Sequence, residues 1–167
     1  MRGDEEDHVG LVLCPADDDT DSPDISWSYN RFDVFRRRLA QAGGFTLSEM
    51  RGFGGERPWD SVSTTLEPLL DHPDDDGTLT PAQCAAILPR LEAIADQWRQ
   101  CDNDPLLKPY VDDALQLVTV LRCGVDKNVD LLFAQIAGDW LGLTGRRWSG
   151  RPRRRRRGRR TPPVPWR

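Results

Sequence analysis

Apolar residues recur at helical spacing over most of the stretch from Tyr29 to Leu121. Tyr29, Phe32, Phe35, Leu39 and Ala42 form one stripe, which predicts a helix stopped by Gly43-Gly44 and carrying Arg36 to Arg38 around its solvated side. Asp60 reads as the N-cap of a second helix that buries Val62, Leu66, Leu69 and Leu70, and Pro68 should kink or end it. The third helix has the fullest signature. Thr80 is its N-cap, Pro81 suits its first position, and Gln83 completes a capping box. Cys84, Ile87, Leu88, Leu91, Ile94, Ala95 and Trp98 then line one face, with Pro89 inside the stripe. A fourth helix opens at Asp104-Pro105 and runs through Leu107, Tyr110, Val111, Ala114, Leu115, Val118 and Leu121 to Gly124 as its stop.

Strand signals are weaker. Val9 to Leu13 reads as a short strand, and Val129-Asp-Leu-Leu-Phe133 fits a strand or a helical turn equally. The expectation is a mainly α protein, a compact bundle of four to five helices with one short β pairing. Its core holds Phe32, Phe35, Leu66, Leu69, Leu88, Leu91, Trp98, Leu115 and Val118, with Trp27 and Trp59 as further anchors. Residues 25–143 form the folded domain. Residues 1–24 are acidic and turn-rich and residues 144–167 are rich in Arg and Pro, so both read as largely disordered.

Charge divides the chain more sharply than its net value of −4 shows. Residues 145–167 hold 11 Arg and no acid, leaving 12 Lys and Arg against all 27 Asp and Glu in residues 1–144. An acidic body thus carries a basic arm. Arg151, Arg153, Arg154, Arg155, Arg156, Arg157, Arg159 and Arg160 would bind a polyanion such as nucleic acid without reading its sequence, because neutralising phosphates releases counterions. No apolar run approaches the ~20 residues that cross a membrane, and the acidic N-terminus is unlike a signal peptide, so the cytoplasm is expected. Cys14, Cys84, Cys101 and Cys123 are widely spaced and read as free thiols.

The chemistry worth weighing lies in His72-Pro-Asp-Asp-Asp-Gly-Thr-Leu-Thr-Pro-Ala-Gln83, which resembles an EF-hand calcium loop. Gly77 falls at the sixth position, where the loop turns, and Asp74 and Asp76 fall at the third and fifth. Thr78 offers a carbonyl, Thr80 a hydroxyl or a bridging water, and Gln83 one neutral oxygen. His72 stands where such loops have Asp, and Gln83 where they have a bidentate Glu, so the resemblance implies a helix-loop-helix shape with weak calcium affinity or none. An Asp-rich turn followed by a helix cap would give the same string without metal. Gly52-Phe-Gly-Gly55 lacks the Gly-Lys-Ser/Thr ending of a phosphate loop and reads as a tight turn. Only His8 and His72 are present, no Gly-x-Ser-x-Gly occurs, and no Cys/His spacing suits zinc, which argues against an enzyme.

Asp24-Ile-Ser-Trp-Ser-Tyr29, Gly52-Phe-Gly-Gly55 and the run from Leu66 to Gly77 resemble a family of small uncharacterised bacterial proteins. The resemblance covers about residues 24–133 and implies a domain extent without an activity. The expected function is therefore a non-enzymatic binding or regulatory module with an unidentified protein partner and no cofactor beyond a candidate calcium ion. The alternative is a nucleic-acid accessory protein acting through its Arg-rich tail.

Overall fold

In the computed structural model, residues 10–71, 76–101 and 104–136 are described. Strand β1 (Gly10–Pro15) is followed by β2 (Ile25–Ser28) and helix α1 (Tyr29–Ala42). Two 3-10 turns, at Leu47–Glu49 and Trp59–Ser61, lead to the one-turn helix α2 (Glu67–Leu70). Strand β3 (Asp76–Leu79), the long helices α3 (Pro81–Gln100) and α4 (Lys108–Lys127), and strand β4 (Leu131–Ile136) complete the described chain. The strands form one antiparallel sheet in the order β2-β1-β4-β3.

This mixed α/β architecture overturns the expectation of a mainly α bundle with one short β pairing. Each strand is only four or six residues long, and from Leu11 in β1 and throughout β2 buried positions alternate with more open ones, so each is a faint signal. The inner face carries Leu11 and Leu13 from β1, Ile25 and Trp27 from β2, Leu79 from β3, and Leu131 and Phe133 from β4. These side chains join Phe32, Phe35, Leu91, Ile94 and Leu121 of the helices in one core. Strand β1 lies in residues 1–24, outside the expected domain, yet it is one of the two central strands. The turn after it is tied down by Lys127, whose ammonium reaches Asp17 Oδ2 at 3.0 Å, Asp19 Oδ2 at 2.7 Å and Ser22 Oγ at 2.7 Å.

Local chemistry explains where the helices begin and end. Ser28 caps α1, its hydroxyl accepting from Arg31 N at 3.2 Å. The expected second helix is replaced by the 3-10 turn at Trp59–Ser61 and the single turn α2. Pro68 sits in the first turn of α2, where its missing N–H costs nothing, so it opens a helix instead of ending one. Leu66, Leu69 and Leu70 are nonetheless buried. Helix α4 starts at Lys108, after a turn in which Asp104 O accepts from Leu107 N at 3.0 Å and Asp104 Oδ1 from Leu106 N at 3.0 Å. It runs past Gly124 to Lys127 and stops at Asn128, which takes the left-handed conformation at φ 51°. Gly124 has a packing role. A Cβ there would lie 3.1 Å from Leu131 Cδ2, so the glycine lets β4 approach the helix.

Arg36 also departs from expectation. It is only 3% exposed, with its guanidinium carbon 4.6 Å from the Phe32 ring centroid and 5.1 Å from that of Phe53. Stacking between two rings lets a planar cation enter the core where an ammonium would not. Arg37 stays on the solvated side, paired with Asp33 at 2.8 Å.

Candidate functional site

The residues expected to hold calcium are divided between two elements. His72 and Asp74 lie outside the described residues. Asp76 and Thr78 belong to β3, where their backbones pair with Ala134 and Leu132 of β4. Thr80 and Gln83 form the cap of α3. Thr80 N donates to Gln83 Oε1 at 2.9 Å, and Gln83 N donates to Thr80 Oγ1 at 3.2 Å. This is the full capping box read from the sequence, and it engages one lone pair of the single side-chain oxygen that Gln83 has to offer. The helical element that precedes this stretch is the single turn α2. Among the described residues no group of three or more His, Cys, Asp and Glu is placed to hold a metal ion. The eight candidate arginines, Arg151, Arg153 to Arg157, Arg159 and Arg160, lie outside the described residues.

A second region emerges at the turn between α3 and α4. The end of α3 and the start of α4 line a shallow groove of about 850 Å³, with Trp98, Leu107, Val111 and Leu115 in its lining. Asp96, Arg99, Asp104, Lys108 and Asp112 supply charge to the same lining. The Trp98 ring is fixed from behind by edge contacts with Phe35 at 6.4 Å and Tyr110 at 6.5 Å between centroids, and Arg38 lies over Tyr110 at 5.5 Å. Leu106 is 72% exposed and Leu115 40%. Leu115 was expected in the core. Its neighbours Ala114, Leu117, Val118 and Leu121 are the buried ones, and they follow i, i+3, i+4, i+7 spacing from which 115 is displaced by one position. Leu115 also stands four positions after Val111 and three before Val118, so it lies at the edge of the buried face and spacing alone does not separate it from the core.

Charged groups elsewhere hold elements together. Arg31 of α1 grips Asp113 of α4 through two hydrogen bonds, Nε to Oδ2 at 2.9 Å and Nη2 to Oδ1 at 2.8 Å. Donating to the Asp113 carboxylate holds the Arg31 guanidinium further above its ordinary pKa against partial burial. Arg122 pairs with Glu92 across α3 and α4. Burial also pushes the Asp17 carboxyl upward, but hydrogen bonds from Ser22 and Lys127 outweigh it and hold the group below its usual value. None of the four cysteines is bridged; burial raises the Cys84 thiol to about 11 and, with Asp24 and Asp17 nearby, also raises Cys14. The indole N–H of Trp27 is buried with no hydrogen-bond partner among the described residues, and nothing in the structure explains that loss.

The Gly52–Gly55 stretch is a tight turn built on its glycines. Gly52 and Gly54 have φ of 93° and 102°, and a Cβ on Gly55 would overlap the Glu49 backbone. Phe53 at its tip packs edge-on to Trp59, 6.1 Å between centroids.

No protein-family model, curated protein or solved structure matches this chain. Among the described residues no helix is long and apolar enough to cross a membrane.

Proposed function

We propose that the protein is a non-enzymatic binding module that recognises a protein partner through the α3–α4 turn. The observation behind this reading is the exposure of Leu106 and Leu115 beside a groove that mixes apolar and charged lining. An apolar centre within a polar rim is the anatomy of a protein interface. Covering apolar surface there would gain ~25 cal/mol per Å². The groove charges include three aspartates, Asp96, Asp104 and Asp112, and two cations, Arg99 and Lys108, so the fitting partner offers apolar side chains flanked by an excess of positive charge. The stretch 72–83 has a minor part in this reading, binding calcium at millimolar levels or not at all.

The test compares full-length wild type with the L106D/L115D variant as cross-linking baits in native extract. The expected result is a discrete protein partner captured by wild type and lost from a variant that melts like wild type. Capture of the same proteins by both would overturn the proposal. The Arg-rich segment supports a second reading, because its 11 Arg and no acid would draw a polyanion. Capture that nuclease treatment abolishes would favour that reading instead.

A further inference from the structure

Two features of the α3–α4 groove define the shape of what fits it. The first is a straight apolar row on α4. Leu107 stands at the N-cap, and Val111 and Leu115 follow at four-residue intervals, so the three share one face. Leu107 and Val111 are half-buried, Leu115 is exposed, and all three line the groove. The next position in the row is the polar Thr119, whose hydroxyl donates to Leu115 O at 3.1 Å. At ~1.5 Å per residue the row runs ~12 Å, about two turns of helix. Trp98 closes the groove from the α3 side, and only 8% of it is exposed.

The second feature is the backbone along this row. Its groups bond within the helix, beginning with Tyr110 N and Val111 N, which both donate to Leu107 O at 3.0 Å. An extended segment laid on the row would bury its own N–H and C=O groups against side chains that cannot pair them. A helix brings those groups already paired and offers a side-chain stripe of matching period. Charge then decides which helix. The lining holds Asp96, Asp104 and Asp112 against Arg99 and Lys108. Arg99 already lies within 3.6 Å of Asp96, which leaves two carboxylates to one ammonium. A second copy of the hairpin would set the same acid excess against itself, and like charges across an interface cost affinity. A helix with Lys or Arg beside its apolar stripe has the complementary sign.

We infer, resting on the turn as the binding surface proposed above, that the partner element is an amphipathic α-helix lying along the α3–α4 groove. Its apolar stripe covers Leu107, Val111 and Leu115 beside Trp98, and its flanking Lys or Arg side chains face Asp104 and Asp112. It sits as a third helix against the hairpin.

A display library of random peptides, each about 16 residues or four helical turns long, separates the surface from its occupant. It is selected on full-length wild type and, in parallel, on an L106D/L115D variant that melts like wild type. Peptides enriched by wild type alone should share apolar residues at i, i+3 or i+4, and i+7, with Lys or Arg beside them and no proline between. A synthetic peptide of that consensus should gain helical circular dichroism on binding, and a central proline should weaken it at least about tenfold. Asp112→Lys in the protein should weaken the unaltered peptide about tenfold by reversing a facing charge. Leucine-dependent peptides that are extended, proline-rich or acidic would overturn the helix and leave the binding surface standing. The same peptides enriched on both proteins, or none on either, would overturn the surface and the helix with it. Sedimentation showing a wild-type dimer that L106D/L115D abolishes would make a second copy the occupant and overturn the partner helix.

Discussion

The α3–α4 hairpin and the sheet beneath it contribute to one core, but they are assembled over very different distances along the chain. Helix α3 has its cap at Thr80 and its buried stripe from Cys84 to Trp98, and α4 follows after one short turn. In the sheet, Leu13 pairs with Phe133 across 120 positions, and neither strand buries more than one face against the helices. The hairpin is specified by local signals, each readable within its own twenty residues. The sheet exists because distant half-apolar strands share a face, and the chain must close a long loop before that face is buried. Regions with equally buried side chains can thus differ greatly in what local sequence reveals of them.

The sharpest way to break this comparison is to ask whether both regions melt together. Leu91 and Leu13 are each fully buried, one in the hairpin and one in the central strand. Leu91→Ala and Leu13→Ala should each destabilise the protein by ~2–5 kcal/mol through lost burial and the cavity left behind. Denaturant titration followed by both far-ultraviolet circular dichroism and tryptophan fluorescence should give coincident single transitions. A Leu13→Ala variant with an unchanged midpoint would mean that the sheet is not part of the cooperative unit.

The joint between the regions comes next in size. Arg31 sits on α1, which packs on β2, and Asp113 sits on α4, so their two-bonded pair fastens the sheet side to the hairpin. The partners differ in exposure, the Arg31 side chain at 50% and the Asp113 side chain at 9%. Arg31→Ala strands a nearly buried carboxylate, whereas Asp113→Asn leaves a guanidinium that water can reach. The first should cost about 1–2 kcal/mol and the second less, both below the figure for a wholly buried pair because solvent screens Arg31. Equal losses, measured by chemical denaturation, would show that the exposure difference does not govern the cost.

The same contrast explains what could be read from the sequence. The capping box at Thr80 and Gln83, the stripe of α3 and the extent of α1 were legible because each rests on contacts within a few residues. A strand expected over Val9 to Leu13 overlaps β1 at Gly10–Pro15, but its place between β2 and β4 was not legible, since no local pattern names a partner 120 positions away. Arg36 was missed because a guanidinium between two rings looks like any surface arginine in sequence. Leu115 was misassigned because it sits at the edge of the helical stripe, four positions after Val111 and three before Val118. Of the candidate site, the α3–α4 turn was legible as a break between helices, but its exposed leucines needed the packed structure to be recognised.

The smallest expected effect on native stability lies where the two regions meet, in the stretch 72–83. Its middle, Asp76–Leu79, is a strand of the sheet, and its end, Thr80 to Gln83, is the cap of the hairpin. His72→Asp with Gln83→Glu adds two carboxylates at the positions where calcium loops need them. The glutamate can take over the hydrogen bond that Gln83 Oε1 accepts from Thr80 N, and its charge suits a helix N-terminus. Without calcium the double variant should therefore melt within about 0.5 kcal/mol of wild type, in line with a surface substitution that keeps its cap. Isothermal titration, with magnesium as control, should show no saturation of wild type below millimolar calcium. The double variant should bind at least about tenfold more tightly, a gain of about 1.4 kcal/mol. If it folds normally and gains no affinity, the stretch is a sheet strand that ends in a helix cap, and the calcium resemblance is one of sequence alone.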